Sequence, residues 1–159
     1  MSWSRRSLIG LAALPLAACF RPMLAEDTAA AGLRGKVALP EIDGRFGYFL
    51  VQSLEDRLGK PAAPEYSLKV TSNVTERGLA VAQDNSVTRI TLTAVAKWQL
   101  LRDGKPVLVD TARTQSGYNA TSSLFATRQI RLDIERRLAR DLGERISRLV
   151  LARADRLVS

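Results

Sequence analysis

Few side chains in this sequence are able to do covalent chemistry. The 159 residues include no histidine and one cysteine, Cys19. That excludes Ser/His/Asp and Cys/His nucleophile arrangements, the commonest zinc ligand, disulfide frameworks and thiolate metal cages. Carboxylates remain, and Glu55/Asp56 and Asp133/Glu135 are the pairs an acid–base mechanism would use. Residues one or two apart do not converge on a helix, and no apolar pocket that would push one pKa away from the other is marked. Gly44-x-x-Gly47 lacks the length and the lysine of a phosphate loop and reads as a turn. The chain is therefore expected not to be an enzyme, with no catalytic residue, metal or cofactor.

Basic groups are the chemistry that is left. Lys plus Arg outnumber Asp plus Glu by 24 to 16, for a formal charge of +8, which favours a polyanionic partner. Lys69, Arg77, Arg89, Lys97 and Arg113 fall on or beside segments that alternate like strands, so they can gather around one sheet face or edge; Arg128 lies where the last loop enters the final helix. Together they suit an acidic amphiphile, whose phosphate gains charge-assisted hydrogen bonds while its acyl chains meet nearby apolar surface. Between Arg128 and Arg156 nine arginines face five acids, but spacing there argues for a solvated, ion-paired helix face. Asp133/Arg137, Arg137/Asp141, Asp141/Arg145, Arg140/Glu144 and Glu144/Arg148 are all four apart, and each pair supports a helix by about 0.2–0.5 kcal/mol. No basic strand face carries interleaved aromatics, so nucleic acid is not expected.

The elements that must position these groups follow from hydrophobic period. An apolar fraction of 46% with 25% charged residues is the balance of one globular domain. Lys36–Ile42 is a short strand, placed at an edge or made irregular by Pro40. Phe46, Phe49, Leu50, Leu54 and Leu58 line one side of a helix that Gly59, Pro61 and Pro64 end. Tyr66, Leu68, Val70, Ser72 and Val74 alternate as a half-buried strand, and Glu76–Asn85 reads as a connection. Ile90, Leu92, Ala94, Ala96, Trp98 and Leu100 share a face of a longer strand, which Asp103-Gly104 turns into a partner from Val107 to about Tyr118. Ser122 or Ser123 caps a long helix with Ile130, Ile134, Leu138, Leu142 and Ile146 at steps of four. The expected fold is α+β: a single domain with a mostly antiparallel, mixed four-stranded sheet and two helices on one face, in the order strand-helix-strand-strand-strand-helix.

The N-terminus reads as an export signal. Arg5 and Arg6 precede an apolar run from Leu8 to Ala18, too short to span a bilayer and typical of a cleaved signal. Leu16-Ala17-Ala18-Cys19 resembles the lipobox of bacterial lipoproteins, which implies cleavage before Cys19, a diacylglycerol on its thiol and an acylated new amino group. Each buried methylene contributes about 0.8 kcal/mol, and two or more chains hold stably. Phe20, where lipoproteins kept in the inner membrane often carry Asp, points to the outer membrane. Ser4-Arg5-Arg6-Ser7-Leu8-Ile9 also looks like a twin-arginine signal, so the export route stays open. The expected division is a signal at 1–18, a lipidated tether at 19–35 and the folded domain at 36–159. Losing Arg5 and Arg6 with the signal leaves 141 residues at +6.

Cys19-Phe20-Arg21-Pro22, Gly78-Leu79-Ala80, Gln83-Asp84, Thr88-Arg89, Trp98-x-Leu100, Gly104-Lys105-x-Val107, Ser116-Gly117-Tyr118-Asn119-Ala120 and Phe125-Ala126-Thr127 together resemble the LPS-assembly lipoprotein LptE family in its alphaproteobacterial form. Phe20 and Gly117 stand where that family often has Gly and Ser. The resemblance covers nearly the whole mature chain. It implies a periplasm-facing outer-membrane lipoprotein that plugs the β-barrel LptD, assists its assembly and takes part in lipopolysaccharide transport to the outer leaflet. On that basis Cys19 carries the acyl chains that hold the outer membrane, Tyr118, Asn119 and Phe125 meet the barrel, and Arg77, Arg89 and Arg128 meet lipopolysaccharide. An auxiliary lipoprotein of an ABC-type lipid transport system is the alternative. A hydrolase using Asp133, Glu135, Glu55 and Asp56 alone is a third, enzymatic reading.

Overall fold

Period-two alternation builds the sheet. Strands β1 (Val37–Ala38), β2 (Tyr66–Val81), β3 (Val87–Arg102) and β4 (Lys105–Asn119) lie side by side in chain order. β1 is parallel to β2, and the other neighbours are antiparallel. The computed structural model describes residues 28–81, 87–120 and 123–158; Cys19, the signal segment and the tether up to residue 27 lie outside them. The register aligns Val70 with Trp98 and Asp110, Ser72 with Ala96 and Ala112, and Val74 with Ala94 and Thr114. From Tyr66 to Gly78, Arg89 to Leu100 and Leu108 to Asn119, even-numbered residues therefore share one face and odd-numbered residues the other. Leu68, Leu92, Ala94, Ala96, Trp98, Leu100, Ala112 and Tyr118, all even, are buried.

Helices cover that even face. The first turn of helix, α1 (Ala29–Gly32), precedes β1; α2 (Gly44–Leu58), α3 (Leu124–Leu151) and the terminal α4 (Asp155–Val158) complete the chain. Leu50, Leu54 and Leu58 of α2 and Leu138, Leu142, Ile146 and Val150 of α3 are fully buried. Each such side chain favours the folded state by about 1.5–3 kcal/mol relative to exposure. Ser123 caps α3, its Oγ accepting from the Ala126 N–H at 3.3 Å, and Gly59 ends α2 with its N–H on the Glu55 carbonyl. The Ser53 hydroxyl donates to the Arg140 carbonyl at 2.8 Å, bonding the two helices directly.

Three boundaries differ from the sequence reading, each for a physical reason. Pairing of the first strand is confined to Val37–Ala38 with Tyr66–Ser67, because Pro40 has no N–H to continue the ladder. β2 runs on to Val81, so much of the expected 76–85 connection is strand, with Glu76 opposite Leu92 and Gly78 opposite Ile90. Glu76, Arg77 and Gly78 are exposed, so this stretch lacks the apolar alternation that marks a half-buried strand. The folded body begins before residue 36: Ala30 and Leu33 are buried in the core, and α1 touches α4. The turn at Asp103 and Gly104 has the positive φ of 51° and 77° that a tight hairpin requires, and a register shift between Leu100 and Leu101 opposite Pro106 then sets the pairing of β4.

Candidate ligand-binding face and partner surface

The face of the sheet away from the helices carries one sign of charge. Its odd-numbered positions include Lys69, Arg77, Arg89, Lys97 and Arg113, all exposed, and the strand register places them on one surface. The rest of that surface is Ser67, Thr71, Asn73, Thr75, Thr91, Thr93, Val95, Gln99, Val109, Thr111, Gln115, Gly117 and Asn119, with no carboxylate among the described residues. Glu76 and Asp110, the acids of these strands, have even numbers and lie on the helix side. None of the five cations forms an ion pair with a described residue.

At one end of this face Arg77, Arg89 and Arg113 surround Thr91, Thr93 and Gln115 in an open depression of about 420 Å³. Gly117 keeps it open. A side-chain carbon there would meet the Ile90 carbonyl at 3.3 Å and the Thr91 Oγ1 at 3.5 Å, and lie 4.0 Å from Arg89 Nη2. Guanidinium forks and threonine hydroxyls pointing into one concavity supply donors for the oxygens of a phosphate or sulfate group.

The other expected site residues are distributed differently. Arg128 is exposed on α3, in the layer on the opposite side of the sheet, and does not join Arg77 and Arg89. Tyr118, expected at a partner surface, is 8% exposed, because its even number turns it toward the helices. Burial pushes its phenol above the ordinary value, Glu76 and Glu135 act in the same direction, and Arg131 opposes them. Arg131 bridges those two carboxylates, at 3.3 Å to Glu76 and 3.1 Å to Glu135, tying α3 to β2. Asn119 is exposed on the basic face. Phe125 is 74% exposed and Leu124 87% exposed at the start of α3, so two large apolar side chains stand free there; Leu124 is the half of that pair the sequence reading missed.

The carboxylate pairs are occupied in other ways. Glu55 lies 3.6 Å from Lys60 and Asp133 lies 3.8 Å from Arg137, while Glu135 is held by Arg131. Of the five four-apart pairs read along the last helix, the Asp133/Arg137 bridge forms; Glu144 instead crosses to Arg57 of α2 at 3.0 Å. Among the described residues no three His, Cys, Asp or Glu side chains are grouped to hold a metal, and no helix is long and apolar enough to cross a membrane.

A helix-backed sheet whose outer face carries cations and, among the described residues, no carboxylate is the build of a binding or scaffold protein. Comparison with known proteins gives the particular family: the model of the LptE lipopolysaccharide-assembly family matches residues 34–150, and the chain belongs to it. It is accordingly a non-catalytic, lipid-anchored outer-membrane lipoprotein of lipopolysaccharide assembly. The fold is shared with solved structures of low identity. A protein of Caulobacter crescentus is 20% identical with a TM-score of 0.65, covering 80% of this chain and 96% of that one. The rare lipoprotein B of Shewanella oneidensis is 11% identical with a TM-score of 0.63, covering 78% and 98%. A minor lipoprotein of Acinetobacter baumannii is 18% identical with a TM-score of 0.54, covering 73% and 88%. No curated protein sequence matches the chain.

Proposed function

We propose that the protein is the plug partner of an LptD-like outer-membrane β-barrel, assisting its assembly, and that its basic sheet face takes the phosphorylated headgroup of lipopolysaccharide on the way to the outer leaflet. The observation that carries this reading is the face itself: five cationic side chains on three strands with no carboxylate among them. Arg77 and Arg89 contact phosphate directly, Arg113 completes the depression, and Arg128 is a separate contact from the helix layer. Exposed Asn119 and Phe125 meet the barrel wall; Tyr118 supports them from the core. The proposed anchor is Cys19, acylated after removal of residues 1–18, with the chain up to the folded body as its tether.

Binding of purified lipopolysaccharide to Arg77→Gln/Arg89→Gln/Arg113→Gln tests the ligand face. Wild-type affinity is expected to fall with salt, because exposed charges are screened over about 8–10 Å, and the triple variant is expected to bind at least tenfold more weakly with a flatter salt dependence. Unchanged binding would remove the sheet face from the mechanism. Co-purification from detergent-solubilised outer membrane tests the partner: a stoichiometric large barrel is expected, while transporter subunits without a barrel would favour an auxiliary role in an ABC-type lipid transport system. Cys19→Ser is expected to abolish incorporation of labelled fatty acid, and label persisting on that variant would refute the anchor.

A further inference from the structure

Phe49 on α2 is surrounded by arginines. Arg45 stands one turn earlier on the same helix, and Arg136 and Arg140 are one turn apart on α3. Their Cζ atoms lie 5.9, 5.0 and 5.7 Å from the centre of the Phe49 ring. The helix pair fixes this convergence, since the Ser53 hydroxyl is bonded to the Arg140 carbonyl itself. Farther along the same seam charge is neutralised, by Arg57 on Glu144 at 3.0 Å. At Phe49 it is not: among the described residues no carboxylate comes within ion-pair distance of Arg45, Arg136 or Arg140. Asp56 and Glu144 line the adjoining cleft with Arg140, and Glu144 is already held by Arg57.

Each guanidinium gains cation–π attraction from the ring, yet three like charges gathered at one residue leave a positive potential that no carboxylate among the described residues neutralises by an ion pair. Arg136 Nε is buried and has no hydrogen-bond partner, so this guanidinium is partly withdrawn from water, where screening of its charge is weaker. A dianion seated among the three groups would replace repulsion with attraction and would use planar N–H forks suited to phosphate oxygens. Tyr48, 63% exposed and edge-on to Phe49 at 5.3 Å, places an amphipathic side chain beside the position.

We propose that Arg45, Arg136 and Arg140 form a phosphate-binding site around Phe49 on the helix layer, separate from the basic face of the sheet. Its ligand is a phosphate monoester, and Tyr48 offers contact to whatever carries it. The site does not depend on the role given to the sheet face, and the experiment keeps the two apart by using the full chain with Cys19→Ser, to remove acylation, and Arg77→Gln/Arg89→Gln/Arg113→Gln, to remove the sheet site.

In that background, titration with inorganic phosphate and with dihexanoyl phosphatidic acid is followed by the side-chain Nε–Hε resonances of arginine. Saturable shifts of Arg136 and Arg140 are expected, with Arg45→Gln weakening binding at least fivefold, Arg136→Gln/Arg140→Gln at least tenfold, and Arg137→Gln leaving it unchanged. Tighter binding of the lipid assigns the site to a lipid headgroup; equal affinity assigns it to phosphate alone. Arg45 is exposed, so its variant tests the site even if the α3 double variant fails to fold. No shift with either probe, or unchanged affinity in Arg45→Gln, overturns the proposal. So does a polyglutamate peptide shifting these resonances while both phosphates do nothing, since the cluster would then be a protein interface.

Discussion

Gly143 lies at the closest approach of α2 and α3, and Gly143→Ala opposes two effects of known sign. Helix propensity alone favours alanine over glycine by about 1 kcal/mol. Packing opposes it: a side-chain carbon at residue 143 would stand 2.8 Å from Ser53 Cβ, 2.9 Å from Ser53 Oγ and 3.0 Å from the Leu50 carbonyl oxygen. Two of those atoms belong to a short, buried side chain and one to backbone, so none can swing away, and overpacking of this kind costs about 1–3 kcal/mol. Displacing Ser53 also weakens its bond to the Arg140 carbonyl, worth about 1 kcal/mol net. The balance is a loss of about 1–3 kcal/mol, or a fall of about 4–10 °C in Tm for a domain of this size. Urea unfolding followed by the fluorescence of Trp98, which is fully buried, measures it. Removing the obstruction in Ser53→Gly should reduce the penalty of Gly143→Ala, giving a coupling of about 0.5–2 kcal/mol in the double-mutant cycle. A Gly143→Ala protein as stable as wild type would refute the close seam, and with it the fixed spacing of the arginines around Phe49.

Two pH predictions follow from groups whose titration the fold perturbs. Asp110 is held below the ordinary carboxylate range by the Thr111 N–H at 2.7 Å and then by Arg153 at 2.8 Å; a depressed native pKa contributes stability above the unfolded value of about 3.9 and loses it as pH falls through the native one. Asp110→Asn should therefore be less stable at neutral pH but lose less between about pH 5 and 2, read from denaturant midpoints across that window. Tyr118 has the opposite sign: its phenol is raised, so stability is fully present below the unfolded value of about 10 and declines as pH rises above it. Tyr118→Phe should flatten that alkaline decline; an unchanged slope would mean that the phenol does not titrate against the fold.

The sequence makes period-two features legible and tertiary ones opaque. The cationic face could be read because Lys69, Arg77, Arg89, Lys97 and Arg113 are all odd-numbered and the strand register keeps that parity. β4 is less legible because its inward positions include Asp110, Thr114 and Ser116, half-buried rather than sealed in the core; polar residues there blur the alternation that would fix register. The burial of Tyr118 is hidden for the same reason, since motif resemblance does not carry parity. The residues around Leu33 look like tether because a helix of four residues has no period to detect, and their burial depends on contact with α4 at the far end of the chain. The Phe49 arginines are separated by nearly a hundred positions, and i, i+4 spacing within α3 gave no sign that Arg136 and Arg140 would face α2.

Charge on the two sides of the sheet is handled differently, and the difference bears on what the outer face is for. On the helix side Asp110 is bridged to Arg153 and Glu76 to Arg131, so charge near the core is neutralised where desolvation makes an unpaired group costly. On the outer face five cations stand without a carboxylate among the described residues, a pattern that adds repulsion and contributes no packing to the core. Stability would be served as well or better by neutral side chains there, and exposed substitutions of this kind usually move stability by no more than about 0.5 kcal/mol. The charges are thus separable from the fold. Loss of lipopolysaccharide binding in Arg77→Gln/Arg89→Gln/Arg113→Gln, with the unfolding midpoint unmoved, can be assigned to the ligand, because among the described residues no ion pair passes through those side chains.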